Sequence, residues 1–156
     1  MRRNDREITD KSAIEDIIRR SLVCRLGMCD DGQPYVVPLC FGYLDGALYF
    51  HSALEGRKLD ALRANPRVCV EFDIDQRIAP AATLVQNTMH YRSVIGFGMA
   101  TFVEDPDEKR RGLLAIVEQY TEMTETLPDE ALPRVAVIKV TLEELTGKGH
   151  GYPTGG

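Results

Sequence analysis

Three strand-like apolar runs follow one another in the first third of the chain, and Asp-Gly pairs separate them. Residues 22–29 are divided from residues 35–43 by Asp30-Asp31-Gly32-Gln33, and Asp45-Gly46 divides 35–43 from 47–52. An Asp-Gly pair between apolar runs is a strong hairpin signal, because the tight turn needs positive φ at both central positions. The pattern predicts three strands in a meander. The runs YVVPLCF and RVCVEF are apolar at successive positions, so both faces of those strands must be covered. A closed or partly closed barrel with helices packed outside satisfies this. An open meander with one wet face does not.

The rest of the chain fits such a barrel. Asp10 is placed to cap a short helix with an apolar stripe of Ile14, Ile17 and Ile18. A second helix carries Leu59 and Leu62 and stops at Asn65-Pro66, since the residue before proline avoids the α region. Residues 68–72 alternate as a strand, residues 74–87 read as a long irregular loop, and 89–103 read as one long strand with Gly96 and Gly98 marking a bend or bulge. Asp105-Pro106 opens a third helix with Leu113, Ile116, Val117 and Tyr120 on one stripe, and residues 135–140 form a last strand before the glycine-rich, polar tail TGKGHGYPTGG. The expectation is one mainly β domain over residues 1–156, with about six strands and three helices. No repeat or linker divides it.

Charge and cysteine usage narrow the class. A net charge of −5 argues against a general nucleic-acid or membrane-surface binder. No apolar run approaches a membrane span, and MRRNDREITD lacks the apolar stretch of a signal peptide. Cys24, Cys29, Cys40 and Cys69 form no C-x-x-C pair, and His51, His90 and His150 show no ligand spacing, so neither a disulfide framework nor a zinc site is expected. The cysteines read as small buried hydrophobes in a cytoplasmic protein.

One corner stands against the acidic background. FHSALEGRKLDALRANP starts as a strand and ends as a helix, with Ser52, Gly56, Arg57 and Lys58 at the join. A helix N-terminus leaves backbone N–H groups unpaired and favours anions. A hydroxyl, a permissive glycine and two cations there suit a phosphate; the alternative is a solvated basic first turn that opposes the helix dipole. It is neither a Walker loop nor a dinucleotide fingerprint. A second polar cluster, His90-Tyr91-Arg92-Ser93, interrupts an apolar strand. Arg92 on a covered face needs an anion, which is either a ligand or a carboxylate such as Glu71 or Asp73.

The segments RLGMCDDGQPYVVPLCFGY, LYFHSALEGRKLDALRANPRVCVEFD and HYRSVIGFGMATFVEDPDEKR, with TGKGHG more weakly, resemble the pyridoxamine 5′-phosphate oxidase-related FMN-binding split-barrel proteins, in particular the nitroimidazole-resistance branch. The resemblance implies a Greek-key-like split β-barrel, a homodimer, and FMN at the subunit interface. By position it implies that Ser52, Arg57 and Lys58 hold the FMN phosphate. Val37, Pro38 and Leu39 would line the flavin ring. Tyr91, Arg92 and Ser93 would complete the pocket, and Lys148 would reach the cofactor. Cys40 stands where relatives often carry asparagine, Asn87 where an aromatic is common, and the C-terminal substrate signature of true pyridoxamine-phosphate oxidases is absent, so vitamin B6 oxidation is not expected. The implied activity is an FMN-dependent reduction of nitro-aromatic or other electron-poor small molecules, with NADH or NADPH as donor. His51 is the candidate catalytic residue, because imidazole exchanges protons near neutral pH. The competing readings are a barrel that holds flavin, haem or the deazaflavin F420 without turnover, and an interaction barrel with no cofactor.

Overall fold

A computed structural model describes residues 4–122 and 127–152. The first three residues and the last four of the tail lie outside the described residues. Eight strands form one antiparallel sheet: β1 (Glu7–Ile8), β2 (Cys24–Asp30), β3 (Gln33–Leu39), β4 (Gly42–Leu44), β5 (Ala47–Ser52), β6 (Arg67–Ala79), β7 (Thr88–Phe102) and β8 (Ala136–His150). Three α-helices accompany them: α1 (Lys11–Arg20), α2 (Arg57–Ala64) and α3 (Pro106–Tyr120). The strand order is β3-β2-β6-β7-β8-β5-β4, with β1 paired to β8.

The fold is mainly β, as expected, with eight strands where about six were anticipated, and the sheet does not close. The expected meander is also corrected. Residues 35–43 are not one strand: β3 ends at Leu39, and β4 pairs with β5 at the far end of the order. The sheet therefore parts between β3 and β4. The expected loop over 74–87 shrinks, because β6 runs to Ala79 and pairs with Thr88–His90 after a register shift between Ile74 and Arg77. The last strand, expected over residues 135–140, runs on through the glycine-rich tail as far as His150. Its glycines permit close approach there: a Cβ on Gly147 would lie 2.8 Å from the Ile8 Cβ.

Helix starts follow the expected chemistry. Asp10 accepts from the Ser12 amide at 3.1 Å, and Asp105 accepts from the Glu108 amide at 2.8 Å with Pro106 in the first turn. The inward faces of the sheet, with Ile17, Ile18, Leu59 and Leu62 from the helices, make the main core. In it Phe41 and Phe72 meet edge to face at 5.1 Å. A smaller core of Ala47, Tyr49, Val103, Ile116 and Val137 lies where α3 packs on β5. Cys24 is buried and Cys29 and Cys69 are half-buried, but Cys40 is exposed, contrary to the expectation of a buried hydrophobe: it sits at the parting of β3 from β4. No helix among the described residues is long and apolar enough to cross a membrane.

Candidate cofactor site

The corner before α2 forms as the sequence suggests. Ser52 ends β5 and Gly56 precedes α2 with φ 132°, a backbone conformation side chains rarely adopt. The Gly56 carbonyl accepts from the Leu59 and Asp60 amides at 2.8 and 3.2 Å, which sets Arg57 and Lys58 in the first turn. Leu59 and Leu62 anchor the helix in the core. Lys58 is half-buried and has no acidic partner among the described residues, and burial pushes its ammonium pKa down. A cation in that state is costly to the fold unless an anion joins it.

The two cations at the corner differ. Arg57 is exposed, its Nε lies 2.6 Å from Asp30 Oδ2, and its guanidinium covers the Tyr35 ring at 4.4 Å. It is tied to the end of the β2–β3 hairpin, whereas Lys58 is uncommitted. Ser52 and His51 are separated by strand alternation. Ser52 shares the parity of Leu48 and Phe50, which pack in the main core, while exposed His51 shares that of Tyr49 beneath α3.

β3 is an edge strand. Asp31 (φ 49°) and Gly32 (φ 78°) make a two-residue turn closed by Asp30 opposite Gln33. Hydrogen-bonded pairs alternate from that closure, so Tyr35, Val37 and Leu39 turn their backbone groups to β2, and Pro34, Val36 and Pro38 turn theirs to the free edge. Proline suits such positions because it has no N–H to offer the ladder. The free edge thus presents the Val36 N–H among carbonyls. The Val37 and Leu39 side chains pack against the main core and Pro38 is exposed, so of the three expected ring residues only Pro38 turns outward.

The other expected residues lie on β7 and β8. Ladder pairs place Tyr91 opposite His150 and Ser93 opposite Lys148, on the outer face with Ile95 and Phe97. Lys148 is half-buried with no acidic partner among the described residues. Arg92 turns to the other face and meets an acid the sequence reading did not name. Its Nε lies 2.8 Å from Asp75 Oδ2 and its Nη2 contacts the same oxygen; Nη1 lies 3.7 Å from Asp16. Glu71 and Asp73, the expected partners, belong instead to Arg25. Alternation sets Arg92, opposite Ile74, on the face away from Glu71 and Asp73, and at the register shift after Ile74 Asp75 takes φ 59° and leaves the face of those two acids. Asp75 also accepts from Arg20 at 2.9 Å, and its carbonyl accepts from the Tyr152 hydroxyl at 2.9 Å. One residue so joins α1, β7 and the tail, its carboxylate holding Arg20 and Arg92 and its carbonyl holding Tyr152.

That hub makes the fold acid-sensitive. Burial pushes the Asp75 carboxyl up, but Arg92 and Arg20 outweigh it and hold it below its ordinary value. A depressed carboxyl stabilises the fold above the unfolded-state pKa, near 3.9, and loses that contribution as pH falls through the folded value. Asp75→Asn is expected to lower the melting temperature at pH 7 by about 2–4 °C, on the scale of about 1 kcal/mol for a good ion-pair network. The gap to the unmutated protein should shrink as pH drops below about 4. Melting curves from pH 7 to pH 2 check this; a gap independent of pH would contradict it.

With the geometry described, comparison with known proteins places the chain. The pattern of the family described as pyridoxamine 5′-phosphate oxidase matches residues 10–149. The chain belongs to the pyridoxamine 5′-phosphate oxidase family. Among solved structures of this kind, a protein from Bacteroides thetaiotaomicron VPI-5482, provisionally assigned as a 5-nitroimidazole antibiotic resistance protein, shares 37% identity over 92% of this chain and 86% of its own, with a TM-score of 0.83. The flavocytochrome Anf3 from Azotobacter vinelandii has the same fold at 20% identity, covering 98% of this chain and 73% of its own, with a TM-score of 0.84. An FAD-binding protein from Mesorhizobium loti is 25% identical over 91% of this chain and 96% of its own, at a TM-score of 0.66. A curated relative, the uncharacterized protein RA0666 of Rhizobium meliloti (strain 1021), is 30% identical over 65 residues, 42% of each chain. The chain therefore matches less than half the length of that relative. In family terms, the unsealed sheet is split-barrel-like, with the free edge of β3 on one side of the split.

Proposed function

We propose that the protein is an FMN-dependent oxidoreductase that reduces small electron-poor aromatic compounds, nitro-aromatics among them. The observation that carries the reading is Lys58, a half-buried ammonium with no acid among the described residues, at the start of a helix whose Arg57 covers Tyr35 on the edge strand β3. These residues fit a cofactor with an anionic end and a flat polar ring. When bound, the flavin supplies electron transfer between a nicotinamide donor and the substrate. Lys58, the Ser52 hydroxyl and the first amides of α2 bind the phosphate. Arg57, already held by Asp30, adds charge at longer range. The Val36 N–H and the flanking carbonyls orient the rim of the ring. His51 is the proposed proton donor to substrate. The likeness to the nitroimidazole-resistance structure supports the substrate class, and the flavin proteins of this fold support the cofactor. A screen of NADH and NADPH against nitro-aromatic acceptors, with FMN-loaded protein, tests it: acceptor-dependent oxidation of donor is expected, and loaded protein that reduces none of them contradicts the reductase reading.

The same reading joins two copies in the cytoplasm. The outer face of the sheet exposes Val36 (60%), Phe97 (46%) and Ile95 (42%) around a groove of about 410 Å3 that includes Cys29 and Cys69. Exposed large apolar side chains gathered at one groove suit an interaction surface. Around it lie Arg25 and Lys148 with Glu71 and Asp73, a mix of signs that suits self-pairing across a two-fold axis. Sedimentation at micromolar concentration is expected to give twice 17.5 kDa. A monomer that binds flavin tightly would contradict the shared-site arrangement.

A further inference from the structure

We infer that the Tyr120 hydroxyl acts as a spacer rung between Leu22 and Phe41, and so positions the end of β3 against the flavin ring. The inference rests on the flavin reading above. The β2–β3 ladder runs from Asp30 opposite Gln33 to Cys24 opposite Leu39. Continued by two residues, the same register sets Leu22 opposite Phe41, and alternation makes that a hydrogen-bonded pair. In an unbroken ladder the Phe41 N–H would reach the Leu22 carbonyl directly. Here the Phe41 N–H donates to Tyr120 Oη at 3.0 Å, and that hydroxyl donates to the Leu22 carbonyl at 3.0 Å. A phenol from the last residue of α3 has entered the ladder where the two strands separate.

Its surroundings hold it there. Phe41 is fully buried, so its N–H needs a partner. Gln119 donates to the Arg19 and Ser21 carbonyls at 2.8 and 3.1 Å, which fixes the β2 side. Gly42 lies against the α3 backbone at Ala115 and Ile116, which fixes the β4 side. Burial pushes the Tyr120 phenol up to about 12, so it stays a neutral donor across the physiological range. The inserted oxygen widens the strand spacing just past Leu39. It thereby sets where Pro38 and the exposed Cys40 meet a ring lying on the free edge.

Tyr120→Phe removes only that oxygen. It is expected to weaken FMN and riboflavin by the same factor, about three- to tenfold, the worth of one neutral hydrogen bond. The equal loss separates a ring-end effect from a phosphate effect. Backbone amide shifts should move at Leu22 and along residues 37–41. Glu118→Gln, at an exposed position of the same helix that touches neither strand, should leave both flavin constants unchanged. In the unmutated protein the Phe41 amide should exchange slowly and the Val36 amide fast. Unchanged affinities in Tyr120→Phe, an equal loss in Glu118→Gln, or a fast Phe41 amide would each overturn the inference while leaving the flavin reading intact. An unmutated protein that binds neither flavin would overturn both.

Discussion

Lys58→Ala is expected to weaken FMN binding by about one to two decades while leaving riboflavin binding nearly unchanged. A charge-assisted hydrogen bond contributes about 1.5–3 kcal/mol, and 1.4 kcal/mol is tenfold. Lys58 has no acid to lose among the described residues, so the substitution removes a half-buried cation and should not lower the melting temperature of the flavin-free protein. Arg57→Ala should cost less affinity, because Asp30 already holds that guanidinium at 2.6 Å. His51→Ala should act on turnover and spare the FMN constant, since His51 points away from the face of Ser52. Flavin-fluorescence titrations measure each comparison. Equal losses of FMN and riboflavin in Lys58→Ala would make Lys58 a support of the ring pocket or the fold instead of a phosphate ligand.

The second large effect concerns stability. Gly42→Ala is expected to destabilise the protein by about 3 kcal/mol, the upper range of overpacking costs, or about 6–12 °C in melting temperature. A Cβ at Gly42 would lie 2.5 Å from the Ala115 carbonyl carbon and the Ile116 nitrogen. Both are backbone atoms inside α3, so no side-chain rotation relieves the contact, and α3 must shift off β4. The smaller core under α3 and the Tyr120 bridge would loosen together. Gly46→Ala, at a turn with open space around it but φ 77°, should cost only the backbone strain of about 1–2 kcal/mol. Thermal melts of the two variants check the order. A Gly42→Ala protein as stable as the unmutated one would mean that α3 does not clamp the β3–β4 link as described.

What could be read from the sequence was local. Asp31-Gly32 and Asp45-Gly46 specify their hairpins, and Asp10 and Asp105 their helix caps, because each signal lies within four residues of its effect. The break inside YVVPLCFGY was not legible. The run is continuous in composition, and its interruption comes from Tyr120 and the α3 backbone, more than seventy residues away. β6 continues beyond Ile74, and β8 through the glycines of TGKGHG, because a neighbouring strand supplies the pairing that weak local propensity does not. The basic corner was legible as a phosphate-like constellation, but what engages each cation was not. Only the fold shows that Asp30 takes Arg57 and leaves Lys58. Arg92 was rightly seen to need an anion, but its acid sits beyond a register shift that alternation cannot anticipate. Asp75 and Tyr120 had no motif to announce them.

The most direct test of the account is the cofactor content of the purified protein. Denaturing release followed by chromatography, with a visible spectrum of the folded protein after incubation with FMN, is expected to give a yellow protein with oxidised-flavin bands and one FMN per chain. A colourless protein that takes up no FMN, or a strong Soret band in place of the flavin bands, would contradict it.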